Sequence, residues 1–181
     1  MKINNLCVSF ASQKVLENIS LEIGDGITCI MAESGRGKTT LLNVIAGLLK
    51  PESGTIENGP KQPSVMFQED RLFPWFTALE NVEIVCNNRD RAAELLNIME
   101  LGNDMDKYPK QMSGGMKRRV ALARALAYES DMLILDEPFK GLDEELRKRI
   151  IDVIKQIKKP MLIATHDESD VELLEAVRIR L

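Results

Sequence analysis

Residues 32 to 40 read Ala-Glu-Ser-Gly-Arg-Gly-Lys-Thr-Thr, close to the pattern GxxxxGK[ST]. Gly35 and Gly37 permit a tight turn and a close approach of backbone to ligand. Successive main-chain N–H groups in such a turn, aided by the dipole of a following helix, can wrap a phosphate. Lys38 would neutralise the phosphate oxygens, and the Thr39 hydroxyl is a candidate Mg²⁺ ligand. The pattern starts on Ala32 where glycine is usual, and one methyl group fits there if the local backbone is not left-handed. Further along, the apolar run MLILD ends in the acids Asp136 and Glu137. At a strand tip beside the phosphate turn, Asp136 would hold Mg²⁺ through water and Glu137 would polarise an attacking water. Transfer of a phosphoryl group needs mostly positioning and charge neutralisation, so one well-placed carboxylate suffices as base.

These residues act together only if the right elements hold them. The run ITCIMA reads as a strand entering the phosphate turn. TTLLNVIAGLL reads as the helix leaving it, with Leu41, Leu42, Ile45, Leu48 and Leu49 on one side and Pro51 as its stop. LCVSF and NISLEI are strand-like, and SGTIENG and SVMFQ contain further short strands. From about Thr77 to Met99 the period becomes helical, as TALENVEIV and then RAAELLNIME. The last third alternates a helix in GGMKRRVALARALA, the strand MLILD, a helix from Glu144 to about Lys158, the strand MLIAT, a short acidic helix and VRIRL. Such alternation predicts an α/β fold with a largely parallel sheet.

The chain has 181 residues, enough for a single domain with its own core. Its net charge of −4 offers no electrostatic case for nucleic acid or anionic lipid as partner. Cys7, Cys29 and Cys86 are far apart and form no CxxC pair, which argues against a zinc site or disulfide framework. Cys7 and Cys29 fall in apolar runs and are expected as small buried hydrophobes. No segment approaches the ~18 continuous apolar residues of a membrane span, and MKINNLCVSF lacks the apolar stretch of a signal peptide. The expectation is a soluble, cytoplasmic protein that any membrane role would require a partner to anchor.

The order of motifs resembles the ATP-binding cassette (ABC) nucleotide-binding domains. Ser113-Gly114-Gly115-Met116 resembles the LSGGQ signature and is followed by the family-like KRRVALARAL. Gln68 matches the Q-loop glutamine, Gly141-Leu-Asp143 the D-loop, and His166, the only histidine, the H-loop in ATHD. Phe10 falls where the family carries an aromatic that stacks on adenine. The resemblance covers essentially the whole chain. It implies a P-loop core with a mixed sheet, N-terminal antiparallel strands and an inserted helical lobe. The core would take about 1–68 and 126–181, the lobe about 69–125, with no C-terminal regulatory domain after VRIRL.

The resemblance also implies roles. ATP would contact Phe10, Ser34, Gly35, Arg36, Gly37, Lys38, Thr39, Thr40 and Gln68, with Mg²⁺ at Thr39, Gln68 and Asp136. Two domains, expected to be a homodimer, would pair head-to-tail, each ATP lying between one phosphate loop and the other copy's Ser113–Met116, with Asp143 crossing the interface. Glu137 would act as base, and His166 would hold the γ-phosphate. Two signature positions depart from the pattern. Met112 for Leu conserves volume, while Met116 for Gln removes a side-chain hydrogen bond worth on the order of 1 kcal/mol.

Four of the eight aromatics, Phe67, Phe73, Trp75 and Phe76, fall within ten residues. They either pack the helical lobe or form a groove near Phe73–Phe76 that receives a helix of a membrane-spanning permease. QEDRLFPW resembles the importer ATPases for nitrate, sulfonate and taurine, which implies uptake of a small anion, with a solute-binding protein as a further partner in such a system. The expected function is therefore an ATP-hydrolysing transporter subunit, peripheral on the inner face of the membrane. The alternatives are a non-transport ABC-type ATPase or an ATP-dependent regulator.

Overall fold

Apolar strand runs separated by helix starts dominate the chain, and the computed structural model describes residues 1–11, 13–32 and 35–181. Residues 1–63, 131–137 and 158–181 form one compact unit, and residues 64–130 and 138–157 a second. The second unit is wider than the lobe expected at about 69–125, because it takes in the segment that comes after Glu137.

In the first unit, β1 (Lys2–Phe10) pairs antiparallel with β2 (Gln13–Glu22) on one side and with β4 (Ser53–Glu57) on the other. Phe10 stands opposite Gln13 at the end of the hairpin. A parallel sheet carries β6 (Met132–Asp136), β7 (Met161–Ala164), β3 (Ile27–Met31) and β8 (Val177–Arg180) in that order. Every residue of β6 and β7 is buried, which is why these strands read as unbroken apolar runs and do not alternate. Register sets where the strands stop. Ile30 of β3 and Asp136 of β6 both pair with Ala164 of β7, so the three strands end level at one sheet edge.

α1 (Lys38–Ile45) leaves that edge and packs on β6 and β7 with Leu41, Leu42, Val44 and Ile45 buried. It ends well before Pro51, contrary to the sequence expectation. Gly47 takes a left-handed φ of 73°, its N–H donates to Val44 O, and Leu48 N–H donates to Asn43 O. That pair of bonds is the Schellman arrangement, which satisfies the last carbonyls and turns the chain out of the helix. Leu48 is consequently exposed and does not join the apolar side.

The second unit is mainly helical after β5 (Pro63–Met66), which crosses its boundary. α2 (Ala78–Cys86) starts in a capping box, with Glu80 N–H donating to Thr77 Oγ1 and Thr77 N–H donating to Glu80 Oε2. Asn87 in the left-handed region ends it, and Asn88 caps α3 (Arg89–Ile98) by accepting from Arg91 N–H. α4 (Gly114–Ala127) packs against both, with Val82, Leu96 and Leu122 fully buried in the unit. α5 (Glu144–Lys155) buries Leu146, Ile150, Ile151 and Ile154 along one stripe. In the first unit, α6 (Glu168–Leu173) comes after β7. Cys29 is wholly buried, and burial pushes its thiol up to about 12. Cys7 is only half-buried, correcting the expectation. Its sulfur accepts from Asn18 N–H at 3.3 Å at the surface of the antiparallel sheet.

Candidate functional site

At the level edge of the parallel sheet, β3 delivers the chain into the glycine-rich turn, β6 delivers Asp136 and Glu137, and β7 delivers Thr165 and His166. Gly35 and Gly37 both adopt left-handed φ, 83° and 86°, which a side chain would strain. Ala32 is not among the left-handed residues, so its methyl group carries no backbone penalty. Gly37 is the N-cap of α1 and has no side chain to cap with, and the first helical bond runs from Leu41 N–H to Gly37 O. The amides at the head of α1 thus have no intrahelical acceptor, the usual state of a helix start and a ready anion site. Lys38 Nζ donates to Ala32 O, folding its cation back over the turn. Ser34, expected as an ATP contact, lies outside the described residues.

Two side-chain pairs flank this turn. The Thr39 hydroxyl donates to Asp136 Oδ2 at 2.6 Å, and the Asp136 carboxylate is buried. Glu137 Oε2 lies 2.8 Å from His166 Nδ1, with the glutamate side chain 13% exposed and the imidazole 66% exposed. Glu137 takes a left-handed φ of 52°, while its N–H still donates to Ala164 O at 2.9 Å. A non-glycine residue in that region is uncommon, and here it ends the extended path of β6 while the carboxylate meets His166. Arg36 and His166 line one open cavity with Met31, Ala32, Arg180 and Leu181. Phe10 is half exposed at the hairpin end, and Thr40 lies in the first turn of α1.

The remaining expected residues lie in the second unit. Ser113 Oγ caps α4 by accepting from Met116 N–H at 3.2 Å. Lys117 N–H closes the first helical bond on Ser113 O, leaving the Gly114 and Gly115 amides outside the ladder. Among the described residues, and apart from the local helix backbone and chain neighbours, nothing comes within 4 Å of a Cβ built on Gly114, and at Gly115 only Gly141 O reaches that distance. Met112 is buried, as a volume-conserving replacement should be. Asp143 caps α5 through Leu146 N–H at 2.9 Å, and that bond holds its carboxyl below the usual carboxylate range. Gln68 is exposed.

Sequence reasoning missed three residues. Arg118 donates to Phe67 O and Gln68 O, and Arg124 donates to Asp70 O and Arg71 O. Asn81, fully buried, accepts from Phe73 N–H and donates to the carbonyls of Phe73, Phe76 and Thr77, shaping the aromatic loop. The only sequence signal was polarity at otherwise apolar helix positions.

Gly37→Ala offers a direct check on the turn. Its Cβ would lie 2.7 Å from Leu16 Cδ2 and 3.0 Å from Val15 O, at a backbone angle that disfavours side chains. Denaturant unfolding should show a loss of about 1–3 kcal/mol. Gly114→Ala, in open space on a helix, should leave stability within about 0.5 kcal/mol of the parent or raise it. Equal stabilities for the two variants would contradict the close approach at Gly37.

Comparison with known proteins identifies the family. Residues 16–140 match the family model described as ABC transporter. The bicarbonate transport ATP-binding protein CmpD of Synechocystis is 41% identical over 175 residues, covering 84% of this chain and 62% of that protein. The aliphatic sulfonates import ATP-binding protein SsuB of Bacillus subtilis is 42% identical over 170 residues, covering 84% of this chain and 67% of that protein. The chain thus spans about two-thirds of the length of these relatives. Among solved structures, the dimeric post-hydrolysis ATP-binding cassette MJ0796 bound to ADP and Pi superposes with a TM-score of 0.87 at 29% identity, covering 99% of this chain and 93% of that one. With the level strand edge, the glycine turn and these matches, the chain belongs to the ABC transporter ATP-binding family.

Proposed function

We propose that this chain binds and hydrolyses ATP as the motor subunit of an importer for a small anion. The observation that carries the reading is the convergence on one sheet edge of the Gly35–Lys38 turn, the Thr39–Asp136 pair and the Glu137–His166 pair. The first cradles phosphates through main-chain N–H groups and the Lys38 charge. Thr39 and Asp136 are oxygen donors already within 2.6 Å of each other, a donor set that suits Mg²⁺, which takes few protein ligands and fills the rest with phosphate oxygens and water. Gln68 is a further candidate ligand. Bound Mg²⁺ would neutralise charge on the phosphates. Glu137 accepts the proton of the attacking water, and His166, hydrogen-bonded to it, orients that carboxylate and holds the γ-phosphate side. Phe10, exposed at the hairpin end, offers a face on which adenine can stack.

A second copy completes the site. Its Ser113–Met116 segment offers the Gly114 and Gly115 amides at a helix N-terminus, suited to the γ-phosphate. ATP then acts as glue between two surfaces, and hydrolysis removes charge from the joint. Asp143, exposed at the head of α5, approaches the same interface. Incubating the purified chain with Mg-ATP should give nucleotide binding and release of inorganic phosphate. Absence of any affinity for Mg-ATP, alone or with a permease, refutes the reading.

Phe73, Trp75 and Phe76 form a mutually packed cluster with centroids 5.6–6.3 Å apart. Trp75 is 66% exposed, which favours a docking surface over core packing. A permease helix seated there would hold the subunit on the inner face of the membrane. No helix among the described residues is long and apolar enough to cross a bilayer. Trp75→Asp should abolish copurification with the permease while Mg-ATP affinity stays within about twofold, as expected for a change at an exposed side chain. An intact complex would return the cluster to a packing role. Relatives named for bicarbonate and for sulfonates support the anion class of solute.

A further inference from the structure

Two arginines of α4 grip the chain around Gln68 from one side. Arg118, buried, donates from Nη1 to Phe67 O at 2.8 Å and to Gln68 O at 3.0 Å, and lies 3.4 Å from Asp70 Oδ1. Arg124 donates to Arg71 O at 2.9 Å and to Asp70 O at 3.0 Å, with its guanidinium 5.7 Å from the Phe73 ring. The Arg71 guanidinium in turn lies 3.8 Å from the Phe67 ring centroid. The carbonyls of residues 67, 68, 70 and 71 are thus held by a single helix. Charge-assisted bonds to carbonyls are among the stronger hydrogen bonds, and a planar guanidinium fixes direction as well as distance. Asn81 then continues the restraint through the Phe73–Thr77 backbone.

The helix that carries these arginines is the one whose head presents Ser113, Gly114 and Gly115. We infer that Arg118 and Arg124 are positioning residues that tie the head of α4 to the segment carrying Gln68 and the aromatic loop, so that closure of a second copy over ATP is transmitted to Trp75. The inference rests on the ATP-closed dimer proposed above. Its physical content is a rigid link: a displacement of α4 by bound γ-phosphate must carry residues 67–71 with it, because their carbonyls have charged donors on that helix. Without the guanidinium groups the segment loses this directional restraint.

Trp75 is the only tryptophan, so its acrylamide quenching reports the loop without a label. In a Glu137→Gln background, sedimentation should show a Mg-ATP-dependent dimer, and Trp75 quenching should change on its formation. Replacing Arg118 and Arg124 together by Met should leave the dimer and abolish the quenching change, while Lys at both positions should restore part of it. A merely structural role would lower the melting temperature and leave the Trp75 response of the surviving fold intact. If the Met pair does not fold, Arg124→Met alone removes the bonds to residues 70 and 71, and it should at least halve the response. A response preserved in the Met variants, or a dimer that never alters Trp75 quenching in the Glu137→Gln parent, overturns the inference. Failure of the parent to bind Mg-ATP or dimerise instead overturns the nucleotide reading on which it rests.

Discussion

Glu137→Gln is expected to bind Mg-ATP about as well as the parent and to lose roughly 10²–10⁴-fold in turnover, the usual span of a general base. Glutamine keeps the side-chain length and can still meet His166 Nδ1, now 2.8 Å from Glu137 Oε2. It also tolerates the left-handed backbone no worse than glutamate, so the φ of 52° and the bond from residue 137 N–H to Ala164 O should survive. What disappears is a carboxylate able to take a proton from water. Phosphate-release kinetics and nucleotide affinity, measured on the same preparation, separate the two effects. With the γ-phosphate retained, the closed pair of chains should persist and appear as a dimer in sedimentation. Normal turnover would remove Glu137 from the role of base.

The chemistry at the sheet edge was legible because its residue types are demanding. Only glycine suits the angles at positions 35 and 37, and an unbroken apolar run ending in Asp136-Glu137 reads as a buried parallel strand with its polar cargo at the tip. The level ends of β3, β6 and β7 come from register, which the sequence does not state but which parallel pairing with Ala164 makes explicit. Helix ends were less legible. Pro51 looked like the stop of α1, yet Gly47 acts first because a left-handed glycine can satisfy the final carbonyls by itself. The left-handed turn at Glu137 left no trace at all, since nothing in its side chain announces that angle.

Side chain-to-backbone contacts over long separations were invisible for a different reason. The acceptors of Arg118 and Arg124 are carbonyls about fifty positions earlier, and every residue has a carbonyl. Sequence patterning marks the donor as an oddly polar residue in an apolar helix and offers nothing on its target. Asn81 is the same case at shorter range, a fully buried amide whose four bonds all go to backbone. Cys7 errs in the opposite direction. It reads as apolar within its run, but antiparallel pairing leaves it half-buried, with its sulfur meeting Asn18.

Lys38→Ala tests the step that precedes all chemistry. In the structure the ammonium donates to Ala32 O, so it is already folded over the turn that would receive the phosphates. Removing it deletes a charge-assisted hydrogen bond to the nucleotide, worth about 1.5–3 kcal/mol, or roughly a ten- to hundredfold rise in Kd. The glycine angles and the first bond of α1 do not depend on this side chain, so the fold and its melting behaviour should change little. Equilibrium titration with a fluorescent ATP analogue, beside a thermal melt, distinguishes lost binding from lost structure. Turnover should fall along with affinity in this variant, whereas the Glu137→Gln protein should lose turnover alone. That contrast is informative because the two residues occupy the same edge: Lys38 stands after β3 at the head of α1, and Glu137 stands directly after β6. Unchanged affinity in Lys38→Ala would mean that the turn at residues 35–38 is not where the phosphates sit, whatever the fate of Glu137.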